Sequence, residues 1–184
     1  MNIWHDIAES RIKKDDFIAV IEISKGAKQK YEMDKETGCL ILDRILYTST
    51  HYPANYGFIP RTYADDKDPL DVLVLCSESL EPMSLVRCYP IGVITMTDGD
   101  SKDEKIIAIP FGDPTYNCYR DISALPRHIV QEMEHFFHVY KQLEHKAVTT
   151  IDPAGDRETA EDTVAKYIKA YVNNRDELMK KRLK

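Results

Sequence analysis

The sequence predicts an α+β protein, mainly β, whose short strands close into a small barrel and whose two C-terminal helices flank that barrel. Two observations support this fold class. Between Phe17 and about Pro110, apolar runs rich in Val, Ile, Leu and Tyr alternate with turn signals, and no helical pattern separates them. Only after Pro126 do apolar residues recur at spacings of three and four. Consecutive strands without helices between them favour an antiparallel sheet that closes into a barrel.

Six apolar runs are predicted strands, and clusters of Asp, Gly, Pro and Ser separate them. The predicted strands are Phe17–Ile23, Lys30–Met33, Cys39–Ile45, Asp71–Cys76, Leu85–Met96 and Ile106–Ile109. The predicted turns are Ser24–Ala27, Asp34–Gly38, Asp65–Pro69 and Asp98–Ser101. A further segment, His51–Pro60, has prolines near both ends and is predicted as a turn whose two tyrosines pack beneath one end of the barrel.

Two helices are predicted towards the C-terminus. Pro126 suits the first turn of the earlier helix, because its missing N–H group costs nothing there. The apolar stripe of that helix consists of Ile129, Met133, Phe136, Phe137, Tyr140 and Leu143. The stripe of the later helix consists of Ala160, Val164, Tyr167, Ile168 and Tyr171. Both stripes have to be covered by another surface, and the barrel is the one available.

Length and charge limit the organisation of the chain and its partners. The chain has 184 residues, 43% of them hydrophobic, and no internal repeat or low-complexity linker, so residues 1–184 are expected to form one domain. The formal net charge is −6 and no basic tail is present, which argues against nucleic acid as a partner. An acidic protein can still bind an anion when divalent cations lie between the two.

The expected location is the cytoplasm, without a membrane partner. The N-terminal residues lack the basic stretch and apolar block of a secretory signal. No apolar run approaches the ~20 residues that cross a bilayer. The cysteines are widely separated and lack the paired spacing of a zinc ribbon. They are interpreted as small reduced core residues: Cys39, Cys76, Cys88 and Cys118.

Three spaced aspartates, Asp66, Asp68 and Asp71, come directly before an apolar strand. Pro69 disfavours a helix, so Asp66 and Asp68 are expected in a turn and Asp71 at the start of the strand. Carboxylates this close repel one another unless a cation lies among them, and hard divalent cations take oxygen ligands. On this run alone, an acidic turn that caps an edge strand is an equally good interpretation.

A second acidic run, from Asp98 to Lys105, joins two predicted strands and can meet the first run at one rim of the barrel. Neither run fits the calcium loop of an EF-hand, because Lys102 and Leu70 would fall at ligand positions. An enzyme that forms a phosphoaspartate is also disfavoured. Its nucleophile follows an apolar strand, whereas the acids of the first run precede one.

Charged groups on the predicted strands and on the first helix add to the candidate site. Five charged residues alternate with apolar neighbours on the strands: Glu22, Lys30, Glu32, Asp43 and Arg44. Such alternation is also typical of a half-solvated strand. On the helix, Lys141 borders the buried stripe, so its ammonium group could either reach the barrel rim or lie over apolar surface.

In order and spacing, these residues resemble the soluble family-I inorganic pyrophosphatases over nearly the whole chain. The matching motifs are Val20–Ile23, Lys30–Asp34, Leu42–Arg44, Tyr52–Pro60, Asp66–Val72, Asp98–Lys105 and Tyr140–Lys141. The resemblance implies a five-stranded, OB-like barrel with flanking helices, and hydrolysis of pyrophosphate to two phosphates by a metal-activated water. It also implies several Mg²⁺ ions per active site, with Mn²⁺ or Zn²⁺ as possible substitutes. A homo-oligomer is implied too, with a hexamer favoured over a dimer.

The same resemblance implies a role for each matching residue. The implied metal ligands are Asp66, Asp71, Asp103 and Asp98. Asp68 is the implied general base, and Tyr56 is a second catalytic group that also binds phosphate. The other implied phosphate-binding groups are Lys30, Arg44, Lys105, Tyr140 and Lys141. The implied supporting members of the site are Glu22, Glu32, Asp43 and Tyr52.

Three positions depart from the family's pattern. Lys67 stands where the family usually has a residue such as Gly, Ser or Asp, which leaves the local turn geometry open. Gly99 replaces a glutamate that many bacterial members carry, which puts one outer metal contact in doubt. The segment 100–102 changes a stretch that is usually Gly-Glu-like. The candidate ligands around these positions keep their spacing.

Two other functions remain open on the residues alone. An OB-type module that binds single-stranded nucleic acid would need a basic groove with stacking aromatic rings, and the aspartates at the rim argue against it. A metal phosphohydrolase that acts on nucleotides or polyphosphate would share the same kind of site. Only a panel of substrates separates that enzyme from a pyrophosphatase.

Overall fold

The computed structural model describes residues 2–98, 101–144 and 150–181, without the side chains of residues 98, 101 and 181. Within these ranges the strands are β1 (Ile12–Lys13), β2 (Asp16–Ile23), β3 (Gln29–Met33), β4 (Leu40–Ile45), β5 (Asn55–Ile59), β6 (Leu70–Val74), β7 (Leu85–Asp98), β8 (Ser101–Pro110) and β9 (Thr150–Ile151). The α-helices are α1 (Ile3–Asp6), α2 (Arg127–Val139) and α3 (Arg157–Lys181). Short 3-10 helices span Glu9–Arg11, Ile122–Ala124 and Gln142–Glu144.

Five strands form a closed barrel. Their order around the barrel is β2, β5, β6, β8 and β7, and β7 pairs back with β2, so this ring has no open edge. Strand β1 extends the sheet beside β2, and β9 extends it beside β7. The predicted fold class, a five-stranded OB-like barrel with additional strands and two C-terminal helices, is confirmed.

Two features of the barrel differ from the sequence expectation. The segment that was expected to be a turn contains strand β5, and every residue of β5 is buried. A strand buried on both faces lacks the alternation that marks a half-exposed one. The expected antiparallel sheet also contains a parallel pair, β6 with β8. A parallel pair needs a long connection, which the chain through β7 provides.

Gly57 lets strand β5 approach β2 closely. It pairs directly with Ile21 of β2. A Cβ atom on this residue would lie 1.8 Å from the carbonyl oxygen of Val20, far inside van der Waals contact. Glycine is therefore required where these two barrel strands meet.

Strands β3 and β4 form a separate hairpin. Within the described part of the chain they pair only with each other. The expectation that all five alternating charged residues lie among the barrel strands was therefore wrong. Of those five, only Glu22 lies on a strand of the ring. In the hairpin Lys30 lies directly opposite Arg44, so the two cations are neighbours across the strands.

The core lies on both faces of strands β6 and β8. Alternate side chains of a strand point to opposite faces, so these two strands contribute to two hydrophobic clusters. One cluster joins Leu73 and Ile107 to Met133, Phe136 and Phe137 of α2. The other joins Val72, Val74, Ile106 and Ala108 to Ala160, Val164 and Tyr167 of α3. Each helix thus covers one set of barrel residues, as the apolar stripes predict.

Details at the helix ends and at the cysteines correct the sequence analysis. Pro126 is the N-cap of α2, and Leu143 lies beyond the helix with 59% of its surface exposed, so Tyr140 is the last buried residue of that stripe. Cys88 is buried, but Cys39 and Cys118 are exposed, so the core position expected for these two was wrong. All four cysteines are unpaired.

No helix in the described ranges combines the length and the apolar character that a membrane span requires.

Candidate active site

An open cleft of about 400 Å³ brings together side chains from the barrel, the β3–β4 hairpin and the end of α2. The candidate residues that line it are Glu22, Lys30, Glu32, Asp43, Arg44, Tyr56, Asp66, Asp68, Asp71, Asp103, Lys105, Tyr140 and Lys141. Tyr52 is not among its lining residues. The side chain of Asp98 lies outside the described residues.

The parallel pairing of β6 with β8 places the two acidic runs side by side. Asp71 near the start of β6 is the register partner of Lys105 on β8. Asp103 lies two residues before Lys105, so its side chain leaves the same face of β8. From the sequence, Asp103 and Lys105 were expected in a connection between strands. They lie within β8 instead, because that strand begins at Ser101.

A buried ammonium group joins these residues. Lys105 is 2% exposed, and its Nζ donates to Asp71 Oδ2 at 2.6 Å and to Asp103 Oδ1 at 2.9 Å. The same Nζ lies 3.1 Å from the hydroxyl of Tyr56, which in turn donates to Asp71. It also lies 5.4 Å from the ring centroids of Tyr56 and Phe137, within the range of cation–π attraction.

Burial and charge oppose each other in this cluster. Burial favours neutral Lys105, but the carboxylates of Asp103 and Asp71 outweigh it and hold the pKa of the lysine well above its ordinary value. Burial raises the pKa of Asp71, although Lys105 opposes this effect. Burial and the neighbouring Asp71 also raise the pKa of Tyr56, so its hydroxyl stays protonated. Lys105 therefore stays positively charged, and its charge balances the carboxylates of Asp71 and Asp103.

The turn before β6 has a tight local structure. The N–H group of Asp68 donates to Asp66 Oδ1 at 3.0 Å, so the Asp66 side chain closes the turn. Lys67 between them has a φ of 71°, which is the left-handed region that Gly or Asn adopts most easily. A lysine in this region carries backbone strain that a glycine would avoid, and nothing in the structure explains why Lys67 stands here. Asp68 is itself ion-paired with Lys35.

The opposite side of the cleft carries cations from the hairpin. Lys30 forms an ion pair with Glu32, and its Nζ lies 3.4 Å from Asp43 Oδ2. Arg44 also pairs with Asp43, and its Nε donates to Glu144 Oε1 at 2.8 Å. The remaining nitrogen, Nη2 of Arg44, is buried without a hydrogen-bond partner among the described residues. A buried donor of this kind is suited to an anion that enters the cleft.

Aromatic side chains support the floor of the cleft. Tyr52 is 2% exposed, and its ring centroid lies 5.3 Å from that of Tyr56 and 4.8 Å from that of Phe136. Tyr52 therefore backs the cleft without lining it. At the cleft itself, Lys141 Nζ lies 5.3 Å from the ring centroid of Tyr140. Of the two positions that the sequence left open for Lys141, the structure places it in the cleft lining.

Two charged residues of the site were missed by the sequence analysis. Lys35 lines the cleft and pairs with Asp68, but it lies in the turn after β3, beyond the alternating charges that marked the strand. Glu144 pairs with Arg44, although it lies beyond α2 and outside the apolar stripe. Neither has a local pattern that separates it from an ordinary surface charge. The one sequence feature that could have indicated Lys35 is its position directly after the matching motif Lys30–Asp34.

The donor set fits a hard divalent cation, although the carboxylates are not gathered around one point. Over the described ranges, no group of three His, Cys, Asp or Glu side chains could enclose a metal ion. The Lys105 ammonium lies between Asp71 and Asp103, where it balances their charges. Burial raises the pKa of Asp66, and the nearby carboxylates raise it further. The hydrogen bond from the N–H group of Asp68 lowers it, but the net pKa stays raised. A divalent cation would relieve that repulsion.

A small closed barrel with carboxylates, lysines and an arginine in one cleft defines a class: enzymes that bring divalent cations and a phosphate anion together. Residues 19–172 match the family model described as inorganic pyrophosphatase, and the chain belongs to this family. Membership implies a divalent metal cofactor.

Curated relatives match most of the chain. Soluble inorganic pyrophosphatase 2 of Chlamydomonas reinhardtii is 45% identical over 172 residues, which cover 92% of this chain and 90% of the relative. An inorganic pyrophosphatase of Haloferax volcanii is 38% identical and covers 95% of this chain and 98% of its own.

Solved structures match the fold equally well. The inorganic pyrophosphatase of Helicobacter pylori superposes with a TM-score of 0.86 at 41% identity, and covers 90% of this chain and 99% of that one. The enzyme of Thermus thermophilus has a TM-score of 0.85 at 35% identity, and covers 93% and 99% of the two chains.

The buried carboxyl of Glu22 predicts how the stability of the metal-free protein depends on pH. Glu22 is 7% exposed, and burial, followed by the charge of Asp71, raises its pKa from 4.5 to about 8. The folded state therefore keeps a proton that the unfolded state releases. Its stabilising effect is complete below pH 4.5 and is lost as the pH rises to about 8, by at most about 1.4 kcal/mol per pH unit.

We expect Glu22→Gln to remove this part of the pH dependence. The amide cannot ionise, and its oxygen can still accept the N–H group of Met33, which donates to Glu22 Oε1 at 2.7 Å. Urea unfolding in EDTA between pH 5 and 8 measures the change, with exposed Glu36→Gln as the control. Parallel stability curves for wild type and Glu22→Gln would contradict the prediction.

Proposed function

We propose that the chain hydrolyses inorganic pyrophosphate to two orthophosphates in this cleft, as an inorganic diphosphatase. The observation that carries the proposal is that one cleft holds two opposite sets of charge. On the hairpin side, Arg44 offers a buried nitrogen that has no partner among the residues the structure describes. The carboxylates of Asp66, Asp71 and Asp103 lie on the barrel side. Such a pair of surfaces suits a compact polyanion that arrives with divalent cations.

The hairpin and α2 would hold the two phosphates. The planar fork of Arg44 can bind two phosphate oxygens, whereas Lys30 and Lys141 act as point charges. Tyr140 would donate its hydroxyl group to a phosphate oxygen. The single hydroxyl proton of Tyr56 goes to Asp71, so Tyr56 would donate to phosphate only after a cation takes over Asp71. Lys30 and Arg44 are already held by neighbours: Glu32, Asp43 and Glu144. Groups that are fixed before the substrate binds need little reorganisation during the reaction.

The acidic side would hold the cations. We propose Mg²⁺ as the cofactor, with Mn²⁺ or Zn²⁺ as substitutes, and Asp66, Asp71, Asp103 and Asp98 as its ligands. Bound divalent cations lower the pKa of a water molecule and neutralise phosphate oxygens. Glu22 and Tyr52 would support these ligands, since Glu22 lines the cleft and the ring of Tyr52 packs against that of Tyr56.

Asp68 would act as the general base. It lies in the cleft lining, and 46% of its side chain is exposed, so a water molecule can reach it. The hydrogen bond from its N–H group to Asp66 fixes the turn that carries it. Lys35 pairs with Asp68 and would have to turn away before the carboxylate accepts a proton. No covalent enzyme intermediate is needed, because the attacking group is water.

The organisation of the protein is also a proposal. We infer one domain over residues 1–184, since the two helices pack against opposite faces of the same strands. A homo-oligomer, with a hexamer favoured and a dimer possible, would cover some of the exposed apolar side chains in and just after β4: Ile41, Leu42, Ile45 and Tyr47. Sedimentation velocity measures this state, and a monomer would contradict it.

Unpaired cysteines support a cytoplasmic location.

A substrate panel tests the function. We expect phosphate release from pyrophosphate in the presence of Mg²⁺, much slower release from ATP and tripolyphosphate, and no release in EDTA. The mostly charged lining of the cleft favours a small anion over a nucleotide, whose base and sugar need apolar or stacking contacts. Equal rates on all three substrates would favour a general phosphohydrolase. No release with Mg²⁺ present would exclude a pyrophosphatase.

The role of Asp68 predicts a selective loss of turnover. Asp68→Asn keeps the shape of the side chain but removes the proton acceptor, and we expect kcat to fall by roughly 10²- to 10⁴-fold. Steady-state phosphate release measures kcat, and circular dichroism checks the fold. Asp15→Asn, at an exposed turn position before β2, is the control. Turnover near that of wild type in Asp68→Asn would refute the assignment.

A further inference from the structure

Tyr167 of helix α3 contacts both acidic segments of the active site from the side opposite the cleft. Tyr167 is 1% exposed, and its hydroxyl donates to Glu104 Oε2. The same hydroxyl lies 3.1 Å from Asp65 Oδ2. Lys166 Nζ donates to the Tyr167 hydroxyl at 2.9 Å and to Asp65 Oδ2 at 3.2 Å, and lies 3.6 Å from Glu104. These four side chains form one closed network.

The network contacts the neighbours of the candidate metal ligands along the chain. Glu104 lies between Asp103 and Lys105 on β8, and alternation along a strand turns its side chain away from the cleft. Asp65 directly precedes Asp66 at the turn before β6. None of the four network residues lines the cleft. Their contacts therefore reach the site only through the backbone of its two acidic segments.

A backbone contact fixes the same part of α3 to the same turn. The N–H group of Tyr63 donates to the carbonyl oxygen of Tyr167 at 3.1 Å. The next residue, Ala64, donates its N–H group to the carbonyl oxygen of Asp68 at 2.8 Å. One residue of α3 is thus connected through the main chain to the turn and through its hydroxyl to β8.

We propose that Tyr167, together with Lys166, is a positioning residue that fixes the spacing of Asp66 and Asp103 for divalent cations. The inference rests on the proposed function, because it takes these two aspartates as ligands. Their carboxylates repel each other, so a cation site needs the two segments to be held at a fixed separation before the ion binds. Partners that hydrogen-bond a metal ligand directly typically change metal affinity by 10- to 100-fold; Tyr167 acts one step further out, on Asp65 and Glu104, so we expect an effect at the lower end of that range.

Isothermal titration with Mg²⁺ alone tests the proposal without substrate. Tyr167→Phe removes the hydroxyl and keeps the buried ring, and we expect Mg²⁺ to bind about 10-fold more weakly. At saturating Mg²⁺, kcat should stay within about twofold of wild type, because ligand spacing is restored once the ions are bound. A merely structural role would lower the unfolding free energy and leave Mg²⁺ affinity unchanged, and that result would overturn the proposal.

Tyr171→Phe is the matched control. Tyr171 lies one turn later on α3, is also 1% exposed, and bonds through its hydroxyl to His5 Nδ1 at 2.9 Å, away from the cleft. We expect this variant to keep the Mg²⁺ affinity of wild type. Equal weakening in both variants would show a general effect of α3 and overturn the assignment to Tyr167.

Lys166→Gln keeps the test decisive if Tyr167→Phe fails to fold. Lys166 is half exposed, so its replacement leaves the core intact. Loss of a positive charge by itself strengthens cation binding, whereas loss of the network contacts should weaken it, and we expect the weakening to dominate. Unchanged or tighter Mg²⁺ binding would overturn the proposal. Wild-type hydrolysis of pyrophosphate, measured alongside, distinguishes this failure from failure of the proposed function.

Discussion

The buried ion pairs of Lys105 with Asp71 and Asp103 are the interaction on which the rest of the cleft depends. A carboxylate that is largely shielded from water is costly without a partner, and these two side chains are each 26% exposed and lie on neighbouring strands. One ammonium group, 2% exposed, balances both. Its position follows from the parallel pairing of β6 with β8, which sets Lys105 beside Asp71. The same strand pairing therefore closes the barrel and places the cation beside the carboxylates of the site.

The elements around this cluster divide the remaining tasks. The hairpin of β3 and β4 supplies cations whose neighbours hold them in place, with Arg44 between Asp43 and Glu144. The end of α2 supplies Tyr140 and Lys141 to the cleft. Helix α3 contacts the acidic segments from behind through Tyr167. An acidic protein can in this way offer a phosphate anion both fixed cations and carboxylates for divalent ions.

The sequence was sufficient for features with a local pattern and insufficient for those that depend on long-range pairing. Strand runs and helical stripes predicted the barrel and its two helices, and the acids beside strand ends predicted that two acidic runs meet. Strand β5 was missed because burial on both faces removes the alternation. The parallel pair of β6 and β8 joins distant segments, so no local pattern encodes it. Lys35 and Glu144 reach the site only through the folded chain, and the roles of the site residues stay predictions.

The free energy of unfolding of Lys105→Met, with and without Mg²⁺, tests most directly whether divalent cations take over the charge balance of this cluster. We expect a loss of at most about 3–5 kcal/mol in EDTA, because two carboxylates, each about three-quarters buried, lose their partner. Saturating Mg²⁺ should then stabilise the variant more than it stabilises wild type, since no ammonium group competes for Asp71 and Asp103. Equal stabilisation of both proteins by Mg²⁺, or none of the variant, would contradict a cation site at these residues.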